Sequence, residues 1–291
     1  MSSQVGVVTV TYSPGEHLQH FLDTLTTATD EKPQVVIADN GSTDGAPEAA
    51  AATDPRVRLL HIGANIGYGG AANRAVAELD PEIEFVVVAN PDVSWRPGSI
   101  DALLEAARRW PRAGSLGPLI RDPDGTVYPS ARQVPGLASG VGHAILGTVW
   151  PGNPWTVRYR QQDEEISERP VGWLSGSCLL LRRAAFDSVR GFDSRYFMYM
   201  EDVDLGDRLG RAGWLNVYAP SAEVVHDKGH AAGRHPELML PAHHRSAYRF
   251  QADRHPHWWQ APLRVILRAG LAVRSKFAVR SALDRRHGVR D

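Results

Sequence analysis

The sequence predicts an α/β fold in which helices cover both faces of a mostly parallel sheet. Two observations predict it. Apolar runs rich in β-branched residues alternate with helical segments four times in the first half of the chain, which is the pattern of repeated strand–helix units. The runs are apolar at successive positions rather than at every second one, as expected of strands that are buried on both faces.

The predicted elements follow a regular order along the chain. The strands "QVGVVTVTY", "QVVIADN", "RVRLLHI" and "EFVVVAN" precede, in turn, the helix "GEHLQHFLDTLTTA", a short Ala-rich helix, and the helices "AANRAVAEL" and "PGSIDALLEAARRW". A connection rich in Gly, Pro and Trp covers residues 133–170. After it we predict a strand at "VGWLSGSCLLL", the acidic stretch "YFMYMEDVDLGDRL", two short strands at "NVYAP" and "AEVVH", and a partly helical tail from Pro241.

The composition is that of an ordinary globular protein. The 291 residues are 43% hydrophobic and 22% charged, which argues against a disordered chain. The single cysteine, Cys178, lies in an apolar run, so we predict a buried thiol and no disulfide within the chain. The longest uncharged stretch, residues 133–157, is interrupted by prolines and does not fit a membrane-spanning helix. The opening residues lack a basic start, so we expect no signal peptide.

Polar residues lie at the ends of three of the four predicted strands. They are Thr11 and Tyr12 at the end of the first strand, Asp39 and Asn40 at the end of the second, and Asn90 and Asp92 at the end of the fourth. Ligands of open parallel sheets bind beyond the carboxyl ends of the strands. Asp and Asn also favour turns for local reasons, but their repetition at three strand ends favours a ligand site.

The glycine-rich loop "GANIGYGGAANRA" leaves one alternative open. Gly67, Gly69 and Ala72 fit a loose dinucleotide fingerprint, so an NAD(P)-dependent oxidoreductase has to be considered. The fingerprint belongs after the first strand, however, and here it follows the third. The next strand ends in Asn rather than in the acidic residue that would hold a ribose.

The "ANPDV" turn favours a different ligand. Asp92 directly follows a buried strand, where its carboxylate can hold a divalent cation against a diphosphate. A nucleotide would then lie across the first two strand ends, near Thr11, Asp39 and Asn40. No Walker loop occurs in the sequence, so these residues predict a nucleotide-diphosphate site of another kind.

Six stretches resemble, in order, the motifs of inverting family 2 glycosyltransferases with the GT-A fold, over about residues 4–230: "VVTVTYSPGEHL", "VIADNGSTDG", "NIGYGGAANRA", "VANPDV", "GWLSGSCLLLRRAAF" and "GFDSRYFMYMEDVDLGDRL". More narrowly, the chain is similar to bacterial rhamnosyltransferases. Those of actinobacteria move L-rhamnose from dTDP-L-rhamnose to the GlcNAc of a polyprenyl-diphosphate-linked acceptor, in arabinogalactan linker synthesis for the cell wall. The resemblance implies a catalytic domain over residues 1–240, with a nucleotide-sugar-binding half (1–92) and an acceptor-binding half (93–240).

The resemblance also implies which residues bind the donor and a cation. The implied donor contacts are Thr11, Tyr12, Asp39, Asn40, Asn65, Gly67, Asn73, Asn90 and Asp92, with Asp39 reading the base. Asp92 and His226 are the implied ligands of Mn²⁺ or Mg²⁺. Asn90 replaces the first Asp of the family's D-x-D motif, so the site has fewer anionic ligands than the family pattern.

In the family, the "ED" pair supplies the general base that deprotonates the acceptor hydroxyl. We predict that Asp202 is the base and keep Glu201 as the alternative. A helix that starts near Glu201 would place Asp202 in its first turn, where the helix dipole favours an ionised carboxylate. Asp204 and Asp207 are predicted to be solvated or capping. A binding module without turnover stays a third hypothesis, against which the intact "MEDVD" and "NPD" stretches argue.

The acceptor is predicted to contact the "WLSGS" stretch. Trp173, Gly176 and Ser177 would face the acceptor sugar, although Trp173 could equally be a core residue. No covalent nucleophile is needed, because a base and a cation on opposite sides of the anomeric carbon give a single displacement with inversion.

The tail from Pro241 is basic and amphipathic. Residues 241–291 hold eleven Arg/Lys and three Asp/Glu, a net charge of +8, whereas the whole chain has −1. A stripe of apolar residues and glycine at helical spacing comprises Leu263, Ile266, Gly270, Val273 and Phe277. The pattern predicts a helix that lies on an anionic membrane surface. A helix packed on the protein body is the alternative, and no nucleic-acid motif occurs. We therefore expect a cytoplasmic protein on the inner face of the plasma membrane, and a homo-oligomer stays open.

Overall fold

The computed structural model describes residues 4–136, 166–227 and 236–287, so most of the predicted connection over residues 133–170 lies outside the described residues. The strands are β1 (Val5–Thr11), β2 (Gln34–Asp39), β3 (Val57–His61), β4 (Phe85–Ala89), β5 (Val93–Trp95), β6 (Ala113–Arg121), β7 (Val127–Tyr128), β8 (Ala131–Arg132), β9 (Arg169–Val171), β10 (Trp173–Leu174), β11 (Cys178–Arg182) and β12 (Leu215–His226). The helices are α1 (Glu16–Ala28), α2 (Ala46–Thr53), α3 (Tyr68–Ala77), α4 (Ser99–Arg109), α5 (Arg183–Ser188), α6 (Glu201–Arg211), α7 (Pro236–Arg254) and α8 (Ala261–His287). A 3-10 turn at Trp258–Gln260 separates α7 from α8.

Ten of the described strands form one sheet. Its order is β3-β2-β1-β4-β11-β6-β12-β5, with β7 beside β6 and β9 beside β12. The four strands β3, β2, β1 and β4 are parallel to one another, and β6 and β12 are also parallel. β11 runs antiparallel between β4 and β6, and β8 and β10 form a small antiparallel sheet of their own. The predicted class, a mostly parallel sheet within an α/β fold, is confirmed.

Helices cover both faces of the large sheet, so each central strand is buried on both sides. Along β1, Val5 and Val7 pack toward α1 and α4, whereas Val8 and Val10 pack toward α3 and α6. Helix α1 contributes apolar side chains at spacings of three and four residues, and these are fully buried. The predicted alternation of strands and helices in the first half is confirmed, except that the short strand β5 lies between β4 and α4.

The topology places the expected site at one edge of the sheet. In the parallel pair of β1 and β2, Thr11 lies opposite Asp39. The antiparallel pair of β12 and β5 sets His226 opposite Val93, so the end of β12 reaches the turn that contains Asp92. Residues from four distant parts of the chain thus meet where β1, β2 and β4 end.

Three sequence predictions differ from the structure. The predicted strand "VGWLSGSCLLL" is divided, because β10 ends at Leu174 in the small sheet and β11 begins at Cys178 in the large one. The stretches "NVYAP" and "AEVVH" belong to one strand, β12, whose pairing with β6 is irregular between Ala219 and Glu223. Asp204 and Asp207 are not solvated, because each pairs with arginine: Asp204 with Arg208, and Asp207 with Arg211 and Arg254. The i,i+4 spacing of these pairs on α6 brings the charges together.

The tail begins with a helix that packs on the rest of the protein. Phe250 of α7 is buried against Tyr196 and Val203, and Asp253 pairs with Arg195. Helix α8 packs on α7 but exposes much of its apolar surface. Among the helices described, none is long and apolar enough to cross a membrane. The division of the chain at residue 240 stays a prediction.

Candidate active site

Asp39 is the centre of a hydrogen-bonded cluster beyond β1 and β2. Its carboxylate accepts the Thr11 hydroxyl at 2.9 Å and the backbone N–H groups of Gly41 and Ser42 at 3.1–3.2 Å. The Ser42 hydroxyl also donates to it. The Tyr12 side chain beside this cluster is 62% exposed, so its ring is free to contact a ligand. A buried carboxylate with this many donors is held in one orientation.

The glycine loop is fixed by asparagine side chains. Asn40 donates to the Gly67 carbonyl at 3.2 Å, and the Gly67 N–H donates to the Asn65 side chain at 3.1 Å. Gly67 has φ +85°, and a Cβ at this position would lie 2.2 Å from the carbonyl oxygen of Phe197. Only glycine fits here. The loop is therefore pressed against the segment that leads to α6.

Asn73 holds the backbone of a neighbouring segment. Its amide donates to the Phe192 carbonyl at 2.7 Å, and its oxygen accepts the Phe192 N–H at 2.9 Å. These two bonds give Asn73 a positioning role beneath the glycine loop. The direct donor contact that the family resemblance implies stays a prediction.

Asn90, Asp92 and His226 form the expected cation side. His226 Nε2 lies 3.1 Å from Asp92 Oδ1 and 3.2 Å from Asn90 Nδ2. One ring nitrogen cannot accept a bond from Asn90 and donate one to Asp92 at the same time. His226 is buried, and its Nδ1 has no hydrogen-bond partner within the described residues.

The three side chains fit a divalent cation. A cation held by the Nε2 lone pair and by the Asp92 carboxylate would remove the conflict at His226, and a turned Asn90 amide would offer an oxygen. This nitrogen and oxygen set suits Mn²⁺ or Mg²⁺. Within the described residues, however, no three His, Cys, Asp or Glu side chains converge on one point. Further ligands would have to come from the diphosphate and from water.

Asp202 lies in the first turn of α6. Its carboxylate accepts the Gly176 N–H at 2.9 Å and the Val203 N–H at 2.8 Å. Burial raises the pKa of Asp202, while these backbone donors and the charge of Arg132 oppose the rise. The donors favour the ionised form that a general base needs.

Glu201 has a different environment. It is 8% exposed, and its Oε2 has no hydrogen-bond partner in the described part of the chain. Burial, with a contribution from the negative charge of Asp202, raises the pKa of Glu201 to about 8. A carboxyl that stays protonated at neutral pH is a poor base, so the geometry favours Asp202 over Glu201.

The turn after β10 lies between the base and the cation side. The Gly176 N–H binds Asp202, and the Ser177 carbonyl accepts the N–H of Asn90 at 2.9 Å. Trp173 is half-buried, and its indole N–H donates to the Gln133 carbonyl. Two of the three predicted acceptor residues, Gly176 and Ser177, therefore connect the predicted base Asp202 to Asn90 on the expected cation side.

Three site residues were not predicted. The Tyr68 hydroxyl donates to the Gly176 carbonyl at 2.8 Å and so joins the glycine loop to the acceptor turn; burial raises its pKa well above the ordinary value. Arg132 lies near Asp202, and Ser246 of α7 donates to the Met198 carbonyl at 2.9 Å. Only the aromatic residue inside "GYGG" offered a signal in the sequence.

The comparisons with known proteins agree with this geometry. Residues 6–190 match the family described as "Glycosyl transferase family 2". A Mycobacterium tuberculosis protein named N-acetylglucosaminyl-diphospho-decaprenol L-rhamnosyltransferase is 63% identical, over 98% of this chain and 96% of the relative. Rhamnosyltransferase WbbL of Escherichia coli is 25% identical, over 85% of this chain and 92% of the length of WbbL. Mannosyltransferase PcManGT from Pyrobaculum calidifontis, solved with GDP-Man and Mn²⁺, has a TM-score of 0.58 at 17% identity, over 98% of this chain and 74% of that chain.

These matches confirm the GT-A fold that the motifs predicted. They support a glycosyltransferase and not the oxidoreductase that the glycine loop left open. The family match covers the strand ends, the glycine loop, the "NPD" turn and the acceptor turn. The chain therefore belongs to glycosyl transferase family 2.

Proposed function

We propose that the enzyme transfers L-rhamnose from dTDP-L-rhamnose to the GlcNAc of a polyprenyl-diphosphate-linked acceptor, in cell-wall synthesis. The observation that carries the proposal is the Gly176–Ser177 turn, which is bonded to Asp202 on one side and to Asn90 on the other. The choice of sugar and acceptor is supported by the name of the 63% identical Mycobacterium tuberculosis relative.

In the proposed reaction, Asp202 removes the proton of the acceptor hydroxyl as that oxygen attacks the anomeric carbon. The new C–O bond forms on one face, and the bond to the dTDP oxygen breaks on the opposite face, so the configuration inverts. Asp39 and the loop at Gly67 hold the nucleotide, while Tyr68 fixes the turn beneath the acceptor. A positioned base of this kind is worth ~10²–10⁴-fold in rate.

Asp92 and His226 would hold a divalent cation, with Asn90 beside them. When bound, the cation neutralises negative charge on the diphosphate leaving group. We expect Asp92→Ala and His226→Ala each to weaken metal-dependent dTDP binding by about tenfold or more. Calorimetry with Mn²⁺, with Mg²⁺ and with EDTA measures this. Equal dTDP affinity in EDTA would remove the cation from the proposal.

The test of the function is a donor and acceptor screen on the purified full-length chain. dTDP-L-rhamnose should be consumed with a prenyl-diphospho-GlcNAc acceptor, and the product should carry one deoxyhexose of inverted anomeric configuration, determined by NMR. The matched donor controls are dTDP-glucose and GDP-mannose. Transfer from either control at the same rate, or no transfer from dTDP-L-rhamnose, would contradict the proposed specificity.

We propose further that α8 holds the enzyme on an anionic membrane, where a lipid-linked acceptor would lie. Ile266 and Phe277 are 69% and 65% exposed, and Val273 and the neighbouring Trp258 are exposed as well. Exposed apolar residues next to arginines suit an interfacial helix, and each arginine contributes ~1 kcal/mol near an anionic surface.

Truncation before Ala261 tests the membrane proposal. It should abolish sedimentation with phosphatidylglycerol vesicles and lower activity on a long-chain acceptor, while activity on a short-chain soluble acceptor is kept. High salt should weaken vesicle binding of the intact chain. If α8 instead serves to stabilise the body, truncation will lower the melting temperature and damage activity on both acceptors alike.

A further inference from the structure

Arg132 lies in an unusual setting beside the proposed acceptor turn. It is on β8, directly opposite Trp173 of β10 in the small antiparallel sheet. The guanidinium carbon is 5.6 Å from the centre of the Tyr128 ring and 5.7 Å from that of Trp173. Its Nε donates to the Pro129 carbonyl at 2.8 Å. Two aromatic rings and one backbone bond therefore fix the direction of the guanidinium.

The outer edge of this guanidinium has no partner among the described residues. Its two terminal nitrogens donate no hydrogen bond there, and no carboxylate lies within ion-pair distance. Other half-buried arginines of the structure are paired: Arg208 with Asp204, and Arg254 with Asp207. A guanidinium that is held in place and left unpaired offers its fork of N–H donors to a ligand.

Arg132 also lies close to the base. Strand β10, which carries Trp173, leads into the turn whose Gly176 N–H binds Asp202. The positive charge of Arg132 lowers the pKa of Asp202 against the larger effect of burial. The charge of this guanidinium therefore acts on the carboxylate that, under the proposed function, takes the proton of the acceptor hydroxyl. The cation side, at Asp92 and His226, lies across the Gly176–Ser177 turn.

We propose that Arg132 binds the diphosphate of the acceptor, with Tyr128 and Trp173 as the walls that hold its guanidinium. The inference rests on the proposed function, because only a diphosphate-linked acceptor carries an anion on the same sugar as the attacking hydroxyl. Planar N–H forks bind phosphate oxygens in pairs, and such charge-assisted bonds are stronger than neutral ones. The donor diphosphate has its own site beyond the turn, so Arg132 is left for the second anion.

The first experiment compares two acceptors of equal chain length. One carries GlcNAc on a diphosphate, and the other carries GlcNAc as a neutral alkyl glycoside. The wild type should prefer the diphosphate acceptor in kcat/KM, and Arg132→Gln should reduce that preference by about tenfold to a hundredfold, as expected for a lost charge-assisted contact. Arg132→Lys keeps the charge but not the planar fork of N–H donors, so its acceptor preference should lie between those of the wild type and Arg132→Gln.

Arg169→Gln is the matched control. Arg169 also lies over an aromatic ring, that of Tyr218, at 5.5 Å, but it is on β9 in the large sheet. This variant should keep the wild-type preference between the two acceptors. Melting temperatures of all variants check that the fold is intact.

The second experiment needs no turnover. Calorimetry without donor should show that the GlcNAc diphospholipid binds wild type at least tenfold more tightly than Arg132→Gln. Equal binding, or an unchanged acceptor preference, would overturn the proposal. If the variant loses both acceptors alike and its acidic pH–rate limb moves to higher pH, Arg132 only supports the charge of Asp202, which also overturns it. A wild type that binds the diphospholipid but transfers no rhamnose would refute the proposed function alone.

Discussion

The two sides of the candidate site differ in how completely their buried carboxylates are satisfied. On the proposed donor side, Asp39 accepts hydrogen bonds from two hydroxyls and two backbone N–H groups. On the acceptor side, Glu201 Oε2 has no partner among the described residues. The two residues before Glu201, Tyr199 and Met200, have φ of +67° and +69°, a backbone conformation that is costly for side chains of this size.

The difference indicates that the hydrogen bonds of the proposed donor side are complete before a ligand binds. On the proposed acceptor side, the unsatisfied carboxylate oxygen and the left-handed backbone destabilise the free protein. Unsatisfied buried groups and left-handed backbone persist only where surrounding contacts hold them. Here the Phe197 carbonyl accepts the Tyr68 N–H, and the Met198 carbonyl accepts the Ser246 hydroxyl. Removal of a carboxylate should therefore have opposite effects on stability at the two sides.

The largest expected effect is on turnover. Asp202→Asn should lower kcat by ~10²-fold or more, because the amide cannot take the acceptor proton. The affinity for dTDP should be nearly unchanged, since Asp202 is bonded to the acceptor turn and not to the donor cluster. Steady-state kinetics and calorimetry measure the two quantities. If Asp202→Asn turns over normally and Glu201→Gln does not, the roles within the pair are reversed.

The next effect is on the pH dependence of stability. Burial raises the pKa of Glu201 from its ordinary value of 4.5 to about 8 in the folded state. The unfolded chain therefore ionises first, and stability from this group is present below pH ~4.5 and lost as pH rises to about 8. Glu201→Gln should avoid that loss, so its advantage over wild type should grow between pH 5 and pH 8, by a few kcal/mol at most.

Urea unfolding at pH 5, 6.5 and 8 measures this advantage. The exposed Glu105→Gln is the control and should follow the wild type at each pH. A constant difference between Glu201→Gln and wild type at all three values would show that Glu201 is not the group responsible.

On the donor side we expect the opposite sign. Asp39→Asn places an amide N–H₂ group against hydroxyl and backbone donors, so about 1–3 kcal/mol of unfolding free energy should be lost. The affinity for dTDP should fall as well. Denaturant unfolding and calorimetry test both, with Asp23→Asn on the exposed side of α1 as the control. Unchanged stability would remove the contrast between the two sides.

The smallest expected effect concerns the hydrogen bond that joins Ser246 of α7 to the segment before α6. Ser246→Ala removes the hydroxyl that donates to the Met198 carbonyl, which should cost about 1 kcal/mol of stability. If this bond positions the segment from Met198 to the proposed base Asp202, kcat should fall a few-fold while the KM for the donor is unchanged. Ser246→Thr should then restore kcat. A loss of stability without a change in kcat would leave Ser246 a purely structural residue.

The parallel half of the fold was predictable because its signals are local. Each strand from β1 to β4 is an apolar run, and each following helix has its own period, so the order could be read from neighbouring residues. The insertion of β11 between β4 and β6 was not predictable in this way, because it pairs Leu180 with Val87 and Leu116, which are far apart in the chain.

The same reason explains which site residues were missed. The strand-end residues and the "ED" pair are marked by motifs, whereas Tyr68 meets Gly176 across 108 positions. Asp204 was predicted to be solvated or capping because it lies two residues beyond Asp202, away from the face of the predicted base. The Arg208 side chain one turn later allows its burial. Arg132 belongs to no motif, and its contact with the distant Trp173 becomes visible only in the folded chain.

The hydrogen bond from Ser246 of α7 to the Met198 carbonyl depends on the order in which the chain is synthesised. Strands β1 to β4 and the cluster at Asp39 are encoded in the first 92 positions, but the hydroxyl that holds the Met198 carbonyl arrives 48 residues after that carbonyl. A ribosome-bound chain made only as far as β12 already contains both the donor residues and Asp202, yet it lacks the helix against which Tyr196 and Val203 pack. During synthesis the residues predicted to bind the donor are therefore all present before the α7 helix that holds the Met198 carbonyl has been made.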